Sequence, residues 1–413
     1  MRPAILLGLF LLPRIAFAQG DPLGPEFRVN TDTAGSQSEA AVAADSSGRF
    51  VVVWRTSLVG PIAGIFGQRY DAGGAPLGPE FRVNTYSTAF DYLPAVAADP
   101  SGNFVVVWTG SDGSDSGVFA QRYDSSGAPL GSEFRVNSYT TQEQMHPSVA
   151  VGGTGDFVVV WESYYHEDGD GYDVFGQRFA SSGAPLGSEF RVNTFTALDQ
   201  AGGAVAFDSA GNFVVMWSSA YQGPQGQSPV YGQRFASSGA PLGPEFRVST
   251  LPASFSPQVS PSVGMGPSGD FVAVWESDRQ DGWGWGVYGR RFSGSGIPMG
   301  PEFRVNTQTV LDQHSSSVSL DAAGNFVVVW TSEFGDGSGY GVFGQRYDGS
   351  GVALGPEFRV NTYITGDQRA PSVAADPLGK FVVVWTSPQN GNGIFGQRYA
   401  PIFPVELTGF TVQ

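Results

Sequence analysis

The sequence is organised around a five-residue run, FVVVW, that recurs seven times with small variations. Its tryptophans are Trp54, Trp108, Trp161, Trp217, Trp275, Trp330 and Trp385, so consecutive copies lie 53 to 58 residues apart. Runs like FGQRY and EFRVN alternate with it at the same period. A fixed period of this length, carrying several strand-like runs, indicates a repeat architecture.

Each repeat has the pattern of four short strands. Between Pro94 and Asn137 the chain passes through a run of small residues, a tight turn, FVVVW, a Gly- and Asp-rich loop, VFAQRYD, a second turn and EFRVN. Four such strands per period are what one blade of a β-propeller requires. Alternate residues of FVVVW point to opposite faces and all are apolar, so each blade should pack between two neighbours.

The two ends of the chain predict that the ring closes. The first EFRVN-like run, Glu26 to Asn30, precedes any inner strand, whereas the seventh repeat ends at Tyr399 without one. We therefore predict an all-β fold: a seven-bladed β-propeller of four-stranded antiparallel blades, closed by the N-terminal strand completing the last blade. A string of separate domains is disfavoured, because one repeat could hardly bury both its apolar faces.

The N-terminus has the pattern of a secretory signal peptide. A basic start, an apolar stretch over residues 4–12 and Ala16-Phe17-Ala18 predict cleavage after Ala18 and a secreted or cell-surface protein. The apolar stretch is too short to insert in a membrane. A net charge of −16 argues against nucleic acid and anionic membrane surfaces as partners. We assign residues 1–18 to the signal peptide, 19–400 to the propeller and 401–413 to a tail.

The FVVVW, FGQRY and EFRVN runs resemble the repeats of exported bacterial seven-bladed β-propeller proteins over residues 21 to 400. The resemblance implies a propeller and specifies no activity. The tail, from Pro404 to Thr411, resembles the PVELTSF-type segment that precedes the sorting domain of type IX secretion cargo. The sorting domain itself does not follow, which leaves two interpretations: a truncated segment or an accidental likeness.

Two arginines and one glutamate recur in every repeat, and we expect them to be structural. Their stems would pack between outer strands and pair with a neighbouring strand's glutamate. The alternative is a sevenfold ligand surface, although a site needed once has no reason to recur. The residues are Arg69, Arg122, Arg178, Arg234, Arg291, Arg346 and Arg398, and Glu-Phe-Arg at 26–28, 80–82, 133–135, 189–191, 245–247, 302–304 and 357–359.

Binding residues are expected on the face whose loops vary. In a four-stranded blade, the second-to-third hairpins and the outer-to-inner connections open on one face, and here they are long, variable and acidic. Flanking glycines leave the rings of Trp283 and Trp285 free to stack on a sugar or a protein, unless one ring caps its blade. The predicted ligand-binding residues are Tyr164, Tyr165, Tyr172, Trp283, Trp285 and Tyr340.

The hairpin after Trp161 is the candidate metal site. Asp168, Asp170 and Asp173 offer hard oxygen ligands between glycines, which favours calcium, although the EF-hand order is absent. The alternative is a solvated hairpin tip. His146 and His166 are a weaker pattern for a transition metal.

We interpret the chain as a propeller that binds a protein or glycan through its acidic and aromatic face, without catalysis. The alternative is a carbohydrate-active enzyme, hydrolase or lyase, with carboxylates at the mouth of the central channel. Glu162 and Glu276, each directly after a blade tryptophan, are the best candidates for such a pair. An enzyme would gather polar residues of several blades around the channel, whereas a binding module can use one or two blades. A third interpretation is a purely structural array.

If Asp168, Asp170 and Asp173 of the hairpin after Trp161 bind calcium, calcium should raise the melting temperature of the protein and EDTA should abolish the rise. The reason is that a ligand bound only by the folded state stabilises that state. The double variant Asp168→Asn with Asp170→Asn should lose the dependence. An unchanged wild-type melting temperature would exclude calcium at this hairpin.

Overall fold

The computed structural model describes residues 21–57, 63–85, 91–164, 171–223, 227–250, 257–389 and 391–402. The predicted signal peptide, residues 1–18, and residues 403–413 of the predicted tail lie outside this part. No helix in the described ranges is long and apolar enough to cross a membrane.

The described strands form seven four-stranded antiparallel sheets, each a blade, which confirms the predicted propeller. The inner strands are β2 (Ser36–Ala44), β6 (Tyr92–Ala98), β10 (Gln144–Val151), β14 (Gln200–Phe207), β18 (Gln258–Met265), β22 (Gln313–Leu320) and β26 (Arg369–Ala375). The second strands are β3 (Phe50–Ser57), β7 (Phe104–Ser111), β11 (Phe157–Tyr164), β15 (Phe213–Ser219), β19 (Phe271–Asp278), β23 (Phe326–Glu333) and β27 (Phe381–Ser387).

The two outer positions of each blade complete the sheet. The third strands are β4 (Gly64–Tyr70), β8 (Ser116–Tyr123), β12 (Tyr172–Phe179), β16 (Val230–Phe235), β20 (Trp285–Phe292), β24 (Tyr340–Tyr347) and β28 (Gly393–Tyr399). The outer strands are β5 (Phe81–Arg82), β9 (Phe134–Arg135), β13 (Phe190–Arg191), β17 (Phe246–Arg247), β21 (Phe303–Arg304), β25 (Phe358–Arg359) and β1 (Phe27–Arg28). Blades 1 to 6 take their strands in sequence order, and blade 7 is β26, β27, β28 and β1.

The core lies between blades. In blade 1, Val52 and Trp54 pack against Val382 and Val384 of blade 7, while Val53 on the other face belongs to the cluster shared with blade 2. All of these side chains are buried. The alternation of strand side chains therefore gives each second strand two neighbours to pack against, as the sequence predicted.

Aromatic rings tie each outer strand to the next blade. The rings of Phe50 and Tyr70 stack with centroids 4.7 Å apart, and Phe27 packs against both at 6.5 and 5.5 Å. Phe27 belongs to blade 7 through its pairing with Gly396. The N-terminal strand therefore completes blade 7 and packs on blade 1, which confirms the predicted closure.

The repeated charges are structural, but their partners differ from the expectation. The EFR glutamate accepts hydrogen bonds from a threonine or serine of the preceding blade, as Glu80 does from the N–H and Oγ1 of Thr31, both at 2.8 Å. The third-strand arginine donates to backbone carbonyl groups in the outer turn of the next blade, the turn between its third and outer strands. Arg234, for example, donates to the carbonyl of Ser295 at 2.6 Å. Backbone groups replace the expected arginine–glutamate pairs because neighbouring blades meet there through turns.

Every inner strand contains a β-bulge near its start. The register shifts at this point in all seven sheets, and one residue adopts a left-handed backbone with φ between 52° and 74°. A bulge bends the strand and redirects a side chain. The residues are Glu39, Leu93, His146, Gly202, Ser260, Ser315 and Ala370.

The N-terminal strand should bind blade 6 as strongly as an internal outer strand binds the blade before it. Glu26 accepts hydrogen bonds from the N–H and Oγ1 of Thr362 in blade 6 at 2.7 and 2.8 Å, and the internal counterpart Glu357 of blade 6 accepts the N–H of Thr307 in blade 5 at 2.8 Å. We expect Glu26→Ala and the internal control Glu357→Ala to lower the free energy of unfolding by a similar amount, about 1 kcal/mol. Urea unfolding measures both. A loss confined to Glu357→Ala would show that the N-terminal strand is not bound as an ordinary outer strand.

Candidate functional site

The loop face is the end of the ring where the second-to-third hairpins turn, marked in blade 3 by the paired residues Tyr164 and Tyr172. Their ring centroids are 4.6 Å apart. The Tyr172 hydroxyl donates to Oε2 of Glu143 at 2.8 Å. Two predicted ligand-binding residues therefore lie side by side, while the third in this hairpin, Tyr165, lies outside the described residues.

Three of the predicted aromatic residues share one backbone arrangement. Each begins a third strand, its N–H donates to Oδ1 of an aspartate in the following connection, and a left-handed glycine precedes it. A Cβ on that glycine would lie 2.5 to 2.7 Å from the same oxygen, so only glycine fits. The sets are Gly171, Tyr172 and Asp199 (3.2 Å); Gly284, Trp285 and Asp312 (3.0 Å); and Gly339, Tyr340 and Asp367 (3.3 Å).

The two tryptophans of blade 5 differ in their surroundings. Trp285 is partly buried at the base of the hairpin. Trp283 projects from the tip between Gly282 and Gly284, both left-handed, and is 75 % exposed. Trp283 is therefore the side chain of this pair that is open to a ligand.

Tyr340 is covered by the next blade. The guanidinium carbon of Arg369 lies 4.0 Å from the centre of its ring, and Arg369 also donates to Oδ2 of Asp367 at 2.6 Å. The ring of His314, on the inner strand β22 of the same blade, lies 5.2 Å from the ring of Tyr340. Burial, followed by the charge of Arg369, lowers the pKa of His314. Blades 6 and 7 thus share one polar and aromatic patch.

A second patch contains His146 of blade 3 and reaches blade 4 through Glu162. This residue occupies the bulge of β10, and its Nδ1 lies 2.8 Å from Oε2 of Glu162. The other oxygen of Glu162 accepts the bulge N–H of Gly202 in blade 4 at 2.6 Å. The hydrogen bond with Glu162 raises the pKa of His146, against the opposing effect of partial burial.

Blades 1 and 2 extend this patch. Glu39 accepts the bulge N–H of Leu93 at 2.6 Å and lies 3.2 Å from the guanidinium of Arg55, which stands over the ring of Tyr92. Glu39 and Glu143 are also close enough to raise the pKa of His146. We call Glu39, Tyr92, Glu143, His146 and Glu162 the three-blade cluster.

Sequence reasoning missed most of this cluster because it depends on the bulges. One available signal was the residue after each blade tryptophan, because at Glu162, Glu276 and Thr331 this residue accepts the bulge N–H of the next blade. It is Arg55, Thr109, Glu162, Ser218, Glu276, Thr331 or Thr386. Only three of these seven are charged, and two of the three are the predicted carboxylates.

Glu276 is buried between blades 5 and 6. Its Oε1 accepts the bulge N–H of Ser315 at 2.6 Å. Burial raises its pKa to about 7. Glu162 and Glu276 therefore make the same kind of interblade bond, Glu162 to blade 4 and Glu276 to blade 6.

Only one of the three predicted metal ligands, Asp173, lies within the described residues. Asp168 and Asp170 lie outside the described residues. Asp173 is buried at the base of the hairpin, where Oδ1 accepts from Nδ2 of Asn193 at 2.6 Å and Oδ2 lies 3.6 Å from Arg191. Across the described part of the chain, no group of three or more histidine, aspartate or glutamate residues is arranged to hold a metal ion.

Replacing Glu276 should stabilise the protein at high pH. Its folded pKa exceeds the usual 4.5, so the folded protein keeps a proton that the unfolded chain releases, and stability falls as pH rises from about 4.5 to about 7. Glu276→Gln keeps the acceptor for Ser315 without this cost. We expect urea unfolding to show a gain of roughly 2–3 kcal/mol at pH 8 and little at pH 5.

The matched control is Glu162→Gln, which should give no such gain because it also removes the partner of His146. If Glu276→Gln changed the free energy of unfolding by the same amount at pH 8 and at pH 5, the raised pKa of Glu276 would be contradicted.

Comparison with known proteins supports the fold. No protein-family model matches the chain, and no curated protein matches it. Among solved structures, a protein of unknown function from Dyadobacter fermentans matches with a TM-score of 0.55 and 10 % identity, over 93 % of this chain and 100 % of that one. Polysaccharide lyase Uly1 matches with a TM-score of 0.53 and 10 % identity, over 91 % of each chain.

An α-L-arabinanase from Penicillium chrysogenum, solved with arabinobiose, matches with a TM-score of 0.51 and 13 % identity, over 93 % of this chain and 98 % of that one. At these identities the shared property is the propeller fold.

Proposed function

We propose that this protein is an extracellular propeller that binds a glycan on its loop face without catalysis. The observation that carries the proposal is Trp283. A tryptophan buries 150–250 Å² when it packs, yet this one is 75 % exposed on a hairpin tip. The residues on either side are glycines, which have no side chains to cover the ring, so its apolar surface is available to a ligand.

The chemistry around Trp283 suits a sugar. Asp278, whose carboxylate is partly exposed, belongs to the same hairpin, and Trp285 lies two residues after Trp283. A sugar ring offers an apolar face to an indole and hydroxyl groups to carboxylates. The acidity of the face disfavours polyanionic chains. The arabinanase and the lyase named above act on carbohydrates, which agrees with this choice, although they share only the fold.

A carbohydrate-active enzyme is the second candidate, favoured by the three-blade cluster. A histidine held by a carboxylate is suited to general base catalysis, and His146 and Glu162 have this arrangement. Residues of three blades meet here, which is the pattern expected of an enzyme. The pair also links two blades, and that structural role accounts for it without catalysis.

Two further proposals accompany this function. Export would follow from the signal peptide at residues 1–18. Calcium would bind through Asp168 and Asp170, with Asp173 already engaged by Asn193 and Arg191.

The test is affinity electrophoresis in gels containing arabinan, xylan, galactomannan, mixed-linkage β-glucan or chitosan, with polygalacturonate as the polyanionic comparison. We expect at least one neutral or amino polymer to retard the protein, and Trp283→Ala to lower its affinity about tenfold or more, because one stacked ring contributes on the order of 1–2 kcal/mol. Ile297→Ala, which removes an exposed apolar side chain from an outer turn of blade 5, is the control and should bind normally.

No retardation by any polymer would overturn glycan binding. Release of oligosaccharides by the wild type, lost in His146→Ala, would instead establish the enzyme.

A further inference from the structure

Four large apolar side chains on the loop face are exposed although their backbone is left-handed. Bulky residues disfavour this conformation, and an exposed apolar side chain gains nothing from burial. Glycine would remove both costs. The residues are Leu198 (φ 60°, 42 % exposed), Tyr221 (φ 56°, 62 %), Leu311 (φ 67°, 40 %) and Phe334 (φ 50°, 56 %).

Other copies of the repeat show that the fold does not need these side chains. Leu198 and Leu311 lie two residues before the buried glutamine that begins an inner strand. At the same place three other connections in the described ranges have Gly35, Gln142 and Gly366, with φ of 75°, 62° and 72°. The backbone conformation is therefore common to these five connections, and leucine is particular to two of them.

The four residues form two pairs with the same geometry. In blade 4 the N–H of Ala220 donates to the carbonyl of Asp199 at 2.8 Å, which places Tyr221 beside Leu198. In blade 6 the N–H of Glu333 donates to the carbonyl of Asp312 at 2.8 Å, which places Phe334 beside Leu311. We call these pairs the blade 4 platform and the blade 6 platform.

Blade 5 lies between the two platforms and carries Trp283. Its own residue at the Tyr221 and Phe334 position is Arg279, also left-handed with φ of 54°. Three consecutive blades therefore each present one exposed aromatic ring: Tyr221, Trp283 and Phe334. Each ring projects from the second-to-third hairpin of its own blade, so the contacts lie on successive blades, which matches a ligand that is itself a repeating polymer.

Building on the proposed glycan-binding function, we infer that the loop face binds a single polysaccharide chain across blades 4, 5 and 6. The blade 4 platform, Trp283 and the blade 6 platform each stack on one part of the chain.

Polar and charged residues separate the three contacts. Asp278 lies in the blade 5 hairpin, and Glu333 precedes Phe334. The apolar contacts are therefore separate rather than merged in one patch, unlike the apolar core of a protein interface. The surrounding carboxylates select a neutral or amino polymer over an anionic one.

Binding at three linked contacts depends on chain length. Once one contact is made, the next becomes intramolecular, so a polymer binds more tightly than a short fragment. Loss of one platform should weaken polymer binding strongly and leave the binding of a disaccharide or trisaccharide at Trp283 unchanged.

The test uses Tyr221→Gly and Phe334→Gly in the full chain, with the retarding polymer of the electrophoresis panel and its trisaccharide as probes. Glycine relieves the left-handed backbone, so we expect a melting temperature equal to or above that of the wild type. Affinity for the polymer should fall about tenfold in each variant, and affinity for the trisaccharide should not change.

Arg279→Gly is the matched control, because it makes the same backbone change at the same position without removing a ring. It should keep polymer binding at the wild-type level. Unchanged polymer binding in Tyr221→Gly and Phe334→Gly, with binding lost in Trp283→Ala, would overturn the three-contact site and leave glycan binding intact. Failure of the wild type to bind any polymer would overturn both.

Discussion

The structure depends on the packing of each second strand between two neighbouring blades. Val52 and Trp54 of blade 1 contact blade 7, and Val53 contacts the cluster shared with blade 2, all without exposure to water. A single blade would leave both of these faces in solvent, so no blade is stable alone. Closing the ring is therefore a condition of stability for every blade.

This constraint explains why the two ends of the chain share a blade. Phe27 makes for blade 1 the contact that Phe81 makes for blade 2, and Glu26 binds Thr362 as Glu357 binds Thr307. The seam thus repeats the internal interface side chain for side chain. The fold requires these groups in every copy, so most of the arginine and glutamate of the sequence is committed to structure.

The sequence predicts the architecture well because the packing that determines it is periodic, and a period can be read from FVVVW alone. The bulges that build the three-blade cluster could not be predicted in the same way, since a register shift depends on how the inner strands crowd together. The prolines after Leu93, His146, Ser260 and Ala370 were the available signal, because proline inside a sheet marks an edge or a bulge. Nothing in the sequence pattern indicated that Glu162 would bind the backbone N–H of Gly202 in the next blade.

The seven repeats of this chain can be compared with one another position by position. Where seven copies need the same backbone, a residue that appears in one or two copies at a cost in stability is not explained by the fold. Leu311 stands where Gly366 serves equally well, and Phe334 stands where glycine would remove strain. By contrast, Glu162 and Glu276 differ from the residues at the same position in the other repeats, but each binds the next blade. Unusual residues with internal partners therefore point to assembly, and unusual residues without burial point to a ligand.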